Sequence, residues 1–231
     1  MAFRPRSKST TRPAVTPDLL VDALERRTLL NAAPAPRLND ATAPFSVVLV
    51  SDAVAGSRAV VESAAAGVVA VSYNAATDDT SSLVDRLEAL SRSRGNAPIA
   101  ALGIVAHGHD GAIALTGRDA WTSATLPIHA ADLARLGRLL TDAAVIDVYS
   151  CDVAATDAGR TFVADLSRAT GADVRASDDP VGTTPDADLT FEFSTTTNPA
   201  STPLLDPTRL GRIHGLKLDD RFELQQRHPS G

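Results

Sequence analysis

Cysteine is almost missing from this chain: Cys151 is the single one in 231 residues. No disulfide can close within the chain, and no multi-cysteine zinc centre can be assembled. Long apolar runs are missing too. No stretch approaches the roughly 18 to 20 uninterrupted apolar residues of a bilayer-crossing helix, so no membrane span is expected. Positive charge is in deficit, with 22 Lys and Arg against 28 Asp and Glu and a formal net charge of -6 at pH 7. That balance sets nucleic acid and anionic membrane surfaces aside as main partners. The N-terminus carries Arg4, Arg6, Lys8 and Arg12 but lacks the continuous apolar core of a secretory signal, so ordinary signal cleavage is not expected. There is no internal repeat. What remains is 44% hydrophobic and 22% charged, the composition of a globular chain able to bury one substantial core.

Residues 1–42 read as an arm. Leu19, Leu20, Leu24, Leu29 and Leu30 fall at roughly helical spacing between Pro17 and the "APAP" break at Pro34 and Pro36, which predicts a short amphipathic helix in an otherwise solvated segment. From residue 43 the pattern is regular. "FSVVLVS" (45–51), "VVAVSY" (68–73), 97–107, 143–151 and "ADVRAS" (172–177) are apolar and β-branched, the composition of buried strands. Between them, 56–67, 78–95, 128–143 and 155–171 have helical composition, and in the second of these Leu83, Leu87 and Leu90 share one face. Residues 108–127 look like a glycine-punctuated hairpin with a loop, and 186–197 alternates like an edge strand. The last stretch, 199–231, turns to Pro, charge and Gln and predicts a loosely attached tail. Parallel strands need crossover helices, and near-continuous apolar strands need two covers. The alternation therefore predicts an α/β sandwich over 43–198, with a mostly parallel sheet covered by helices on both faces.

In open α/β sheets, sites form outside the carboxyl ends of the strands. His107 and Cys151 each stand at such an end in "GIVAHGHDG" and "VIDVYSCDVA". If those strands are parallel neighbours, both side chains emerge at one edge. The imidazole can then take the thiol proton and generate a nucleophilic thiolate. Gly108 would let the backbone approach a substrate, and its N–H together with that of Cys151 would form an oxyanion hole. Asp110, Asp147 and Asp152 cluster in sequence around the two strand ends. Lining the crevice they would favour a basic side chain in the substrate, and they would raise the thiol pKa unless His107 is protonated.

Other chemistries fit less well. His107, His109, Asp110 and Cys151 are ligand types, but their spacing matches no zinc signature, and neither a metal nor a cofactor is expected. "VYSCDVA" lacks both glycines of a nucleophile elbow, and no Gly-x-x-x-x-Gly-Lys-Ser/Thr loop occurs. A non-enzymatic alternative stays open: Cys151 small, buried and inert, His107 hydrogen-bonded to a loop, and the whole scaffold serving as an interaction or surface-display module.

The ordered set "GIVAHGHDG", "VYSCDVAATDAGRTF" and "ASDDPVG" resembles a bacterial domain-of-unknown-function family. That family is found near the N-termini of very large cell-surface proteins with adhesin or cadherin-like repeats. "ALERRTLLNAA", residues 23–33, looks like the Leu-Glu-x-Arg-x-Leu-Leu motif that precedes such domains, so the resemblance spans about 24–182. The family's later Gly-Gly-Asp-Trp-like segment survives here only as "GTTPDADLTF". More distantly, an apolar strand ending in His-Gly and a later one ending in Cys is similar to the caspase-like cysteine peptidases, gingipain-type and separase-type members among them. That resemblance implies a caspase-like three-layer sandwich, His107 as general base and acid, Cys151 as nucleophile, and a peptide or protein substrate. It also implies a cell-surface or secreted setting. On this basis Cys151 should be partly exposed and reactive, and Arg26 and Arg27 in "LERRTLL" are the internal basic site for self-cleavage. The oligomeric state is not legible.

Overall fold

A computed structural model describes residues 43–196 and 202–212, and all that follows concerns those residues. The chain divides into Met1–Leu38 and Asn39–Gly231. The described residues belong to the second unit. The predicted helix of the arm, with Arg26 and Arg27, lies outside them.

The chain is α/β with a mostly parallel sheet. Its order is β2-β1-β3-β7-β8-β9, formed by β1 (Phe45–Ser51), β2 (Val68–Tyr73), β3 (Ile99–Val105), β7 (Leu140–Tyr149), β8 (Asp173–Ala176) and β9 (Phe193–Ser194). All pairs are parallel except β8 with β9. Helices α1 (Ser57–Glu62), α2 (Thr80–Ser93), α3 (Ala130–Leu139), α4 (Asp157–Thr170) and α5 (Pro207–Leu210) supply the cover.

Alternation along the strands divides the core. Val47, Leu49, Leu102, Ile104, Ile146 and Val148 point to one face, where Leu83 and Leu87 of α2, Leu133 and Leu136 of α3, and Phe162 and Leu166 of α4 cover them. Val48, Val50, Val105, Tyr149 and Cys151 point to the other face, against Val60 of α1, Val181, Leu204, Leu205 and Leu210 of α5. The second cover is the thinner one, made mostly of loops and short helices.

Several elements differ from the sequence expectation. The helix expected over 56–67 stops at Glu62, because the backbone beyond it turns outward to the C-terminal segment: Ala65 N–H donates to Leu204 O at 2.9 Å and Ala64 pairs with Leu205. The helix expected to run to 143 ends at Leu139, and Leu140 is already extended and pairs with Ile99. Residues 107–122 form a second, three-stranded antiparallel sheet of β4 (His107–His109), β5 (Ala112–Ala114) and β6 (Ala120–Thr122) rather than a simple hairpin. It is tied down by Tyr73, whose hydroxyl donates to Leu115 O at 2.7 Å, and by Trp121, whose indole N–H donates to Thr80 Oγ1 at 3.1 Å. Of the alternating run 186–197, only Phe193–Ser194 pairs, at the sheet edge. The segment 202–212 does more than the expected tail: Leu204, Leu205 and Leu210 are buried and complete the second face.

Candidate active site

β1 leads out to β2 on one side, and the chain then returns to place β3 on the other side of β1. The strand order therefore reverses between β1 and β3, and the crevice beyond their carboxyl ends is where open α/β sheets bind ligands. His107 lies two residues past the end of β3, and its Nε2 is 3.0 Å from the carbonyl oxygen of Ala53, in the turn after β1. A carbonyl only accepts, so Nε2 donates to it. His107 is buried, and it is also the first residue of β4, where it pairs with Ala114.

β3 and β7 are parallel neighbours, with Val105 opposite Tyr149. Ala106 N–H still reaches Tyr149 O at 3.4 Å, and past that point the pairing stops, His107 opening β4 of the second sheet and Cys151 lying in the turn after β7. Cys151 packs on the second face, with Val105 and Tyr149. The sequence expectation that the two strands are adjacent and parallel therefore holds, but they end at Val105 and Tyr149, two residues short of His107 and Cys151. Gly108 keeps the chains in contact past the strand ends: a Cβ there would lie 2.6 Å from Ser150 Cβ and 3.0 Å from Val153 Cγ2. The need for glycine is met by this packing alone. Ser150 itself is buried, and its hydroxyl has no hydrogen-bond partner among the described residues.

Cys151 is not partly exposed, as the sequence led one to expect, but 0% exposed. Val181, thirty positions further on, covers it: Val181 N–H donates to Sγ at 3.1 Å, and the thiol lies 3.7 Å from Val181 O. Nothing local in "VYSCDVA" could have announced a cover supplied from so far along the chain.

The three aspartates expected to line one acidic pocket have separate engagements. Asp110 accepts from Thr156 N–H at 3.0 Å and from Thr156 Oγ1 at 2.6 Å, bracing the start of α4. Asp147 is fully buried on β7 and holds Arg175 on β8 in a two-pronged pair, Nε to Oδ1 at 2.7 Å and Nη2 to Oδ2 at 2.8 Å. Burial pushes the Asp147 carboxyl up from its ordinary range, and the Arg175 bonds pull partly against that. The neighbouring Tyr149 hydroxyl is raised as well, by burial first and by Asp147 second. Asp152, at a left-handed φ of 57°, donates its N–H to Asp179 O at 2.9 Å. These partners, Arg175, Thr156, Val181 and Ala53, are the residues the sequence offered no signal for. Their roles come only from position in the folded chain.

The ligand types weighed for a metal are dispersed in use, since His109 is exposed with Nδ1 on Asp110 O at 3.2 Å and Asp110 is held by Thr156. Among the described residues, the carboxylates that do converge are Asp179, Asp188 and Glu192, with one oxygen of each within 4.8 Å of the others. Ser177 is buried beside them, its Oγ 2.9 Å from both Asp179 Oδ1 and Glu192 Oε2.

The model of one protein family, DUF4347, a domain of unknown function, matches residues 47–210, from β1 through α5. The chain belongs to that family. No curated protein and no solved structure matches it. The matched span takes in the whole DUF4347 core described above, including both strand ends and the segment over Cys151. Because the family carries no assigned activity, the function has to be argued from the geometry. Among the described residues, no helix is long and apolar enough to cross a membrane.

Proposed function

We propose that this DUF4347 domain is a cysteine peptidase of caspase-like type, in which His107 and Cys151 form the dyad. The observation that supports the proposal is that β3 and β7 are parallel neighbours, so the segments carrying His107 and Cys151 leave the sheet side by side at its carboxyl edge. His107, its ring held by the Nε2 bond to Ala53 O, acts as the base that takes the thiol proton. The thiolate attacks the substrate carbonyl, and the N–H groups of Gly108 and Cys151 serve the developing oxyanion. The protonated ring then gives its proton to the leaving amine, and water releases the acyl group from sulfur. The substrate is a peptide or protein segment. The resemblance to N-terminal domains of large surface proteins makes self-processing of such a protein the natural setting.

A second reading has one observation in its favour. Cys151 is wholly buried in an apolar cluster, the ordinary state of an inert structural cysteine, and a DUF4347 scaffold so built would be an interaction or display module without catalysis.

Alkylation separates the two. Whatever opens the site, the dyad sets how much of the exposed sulfur is thiolate. With iodoacetamide, His107→Ala is expected to slow labelling of Cys151 at pH 7 by about tenfold and to move the pH midpoint of labelling up toward an ordinary thiol, about 8.5. An unchanged midpoint in His107→Ala removes the dyad and leaves the module. A Cys151→Ala control, followed by intact mass, identifies the labelled residue and any cleavage product that depends on it.

A further inference from the structure

The cover over the sulfur is itself informative. Residues 178–192 leave β8, cross Cys151 and double back, with Gly182 N–H on Asp188 O at 2.8 Å and Asp188 N–H on Pro180 O at 3.2 Å. Apart from the lone pairing of Val181 with Asp188 there is no regular structure in this segment. Its two ends are tied together at the base, where Glu192 Oε2 accepts from Ser177 Oγ at 2.9 Å and from Asp178 N–H at 3.2 Å. Asp152 N–H holds Asp179 O, next to the thiol in sequence. At the crossing itself, main-chain N–H and C=O of a single residue, Val181, face Sγ, as the main chain of a peptide laid across a nucleophile does. The Val181 side chain is 0% exposed and packs in the apolar cluster that holds Cys151, Val105 and Tyr149.

On the peptidase reading above, we propose that residues 178–192 are a built-in occupant of the active site. Val181 fills the subsite beside the sulfur, so the peptide this site accepts carries an apolar, β-branched residue there, and none enters until the segment lifts. This replaces the basic preference drawn from sequence, since Asp110 and Asp147 are committed to Thr156 and Arg175 while the wall around the sulfur is apolar.

The test needs three measurements. In the unmodified protein, native-state amide exchange should show the Val181 amide opening more often than the β7 amides. If it exchanges only with them, through global unfolding, the segment does not lift and the proposal fails. Second, the double variant Ser177→Ala, Glu192→Gln unties the base without touching Val181 or Cys151. It should label with iodoacetamide at least tenfold faster than wild type while staying folded at the assay temperature, since the hydrogen bonds of Ser177 Oγ to both the Glu192 and the Asp179 carboxylates are lost. An unchanged rate overturns the proposal. Should the double variant melt early, Glu192→Gln alone, at an exposed position, carries the same comparison. Third, a synthetic peptide of residues 178–186, "DDPVGTTPD", should protect the thiol of the loosened variant, and the same peptide with Val181→Lys should not. Equal protection by both, or by neither, refutes the apolar subsite. These readouts concern access and occupancy, whereas the dyad is read from the pH midpoint in His107→Ala, so either idea can fail while the other stands.

Discussion

Replacing Arg175 by methionine tests whether Asp147 belongs to the scaffold or to a substrate pocket. Asp147 is 0% exposed, and both its oxygens are held by Arg175, at 2.7 and 2.8 Å. The guanidinium also lies 5.0 Å from the ring centroid of Phe191. Removing one member of a buried pair leaves an uncompensated charge and costs about 3–5 kcal/mol, with roughly another 0.5–1 kcal/mol for the lost cation–π contact. Against a total stability of about 5–15 kcal/mol for a domain, that is a large fraction. Asp147 escapes part of the cost by binding a proton, which sets the sign of the pH response. Its carboxyl is already raised by burial, and without Arg175 it rises further. A native state that binds the extra proton is fully stabilised below the unfolded value of about 3.9 and loses stability as pH climbs toward the folded value. Arg175→Met should therefore recover on acidification from pH 7 to pH 5, and Asp147→Leu combined with Arg175→Met should lie within about 1 kcal/mol of wild type, because a buried pair replaced by apolar groups is often neutral or better. Urea denaturation at both pH values measures all of this. A single variant that loses under about 1 kcal/mol, or a double variant as unstable as the single, would refute the structural role and return Asp147 to the candidates for substrate binding.

Three further outcomes are expected. Ser150→Ala should leave the domain as stable as before or raise it by up to about 1 kcal/mol in thermal unfolding, because it removes a buried hydroxyl that has no partner among the described residues. Gly159→Ala should destabilise by about 1–3 kcal/mol, since a Cβ there would sit 2.3 Å from Val153 O and 2.4 Å from Asp110 Oδ1, forcing α4 off the loop after Cys151. Asp79 caps α2 by accepting from Ser82 N–H at 2.8 Å, and those bonds hold its carboxyl below the usual range. Asp79→Ala should cost about 1 kcal/mol at pH 7, and the gap to wild type should close as pH falls below about 4, where the cap of the wild type protonates.

Much of the layout can be read along the chain, because strand and helix periods are local. β1, β2, β3 and β8, and helices α2 and α4, follow the apolar spacing closely. The same local signals put His107 and Cys151 at strand ends, two residues beyond where β3 and β7 stop. What the sequence does not carry is which strands become neighbours and what lies over them. Only the fold sets β3 beside β7. Only the fold lays Val181 on a thiol thirty positions earlier, and pairs Asp147 with an arginine twenty-eight positions away. Leu204, Leu205 and Leu210 look like tail in a stretch rich in Pro and charge, yet they close the second face because α1 is too short to cover it. Periodicity reports which side of an element is apolar. Burial, ion pairing and access at a site depend on contacts between segments far apart in the chain, which come into being only when the sheet has assembled.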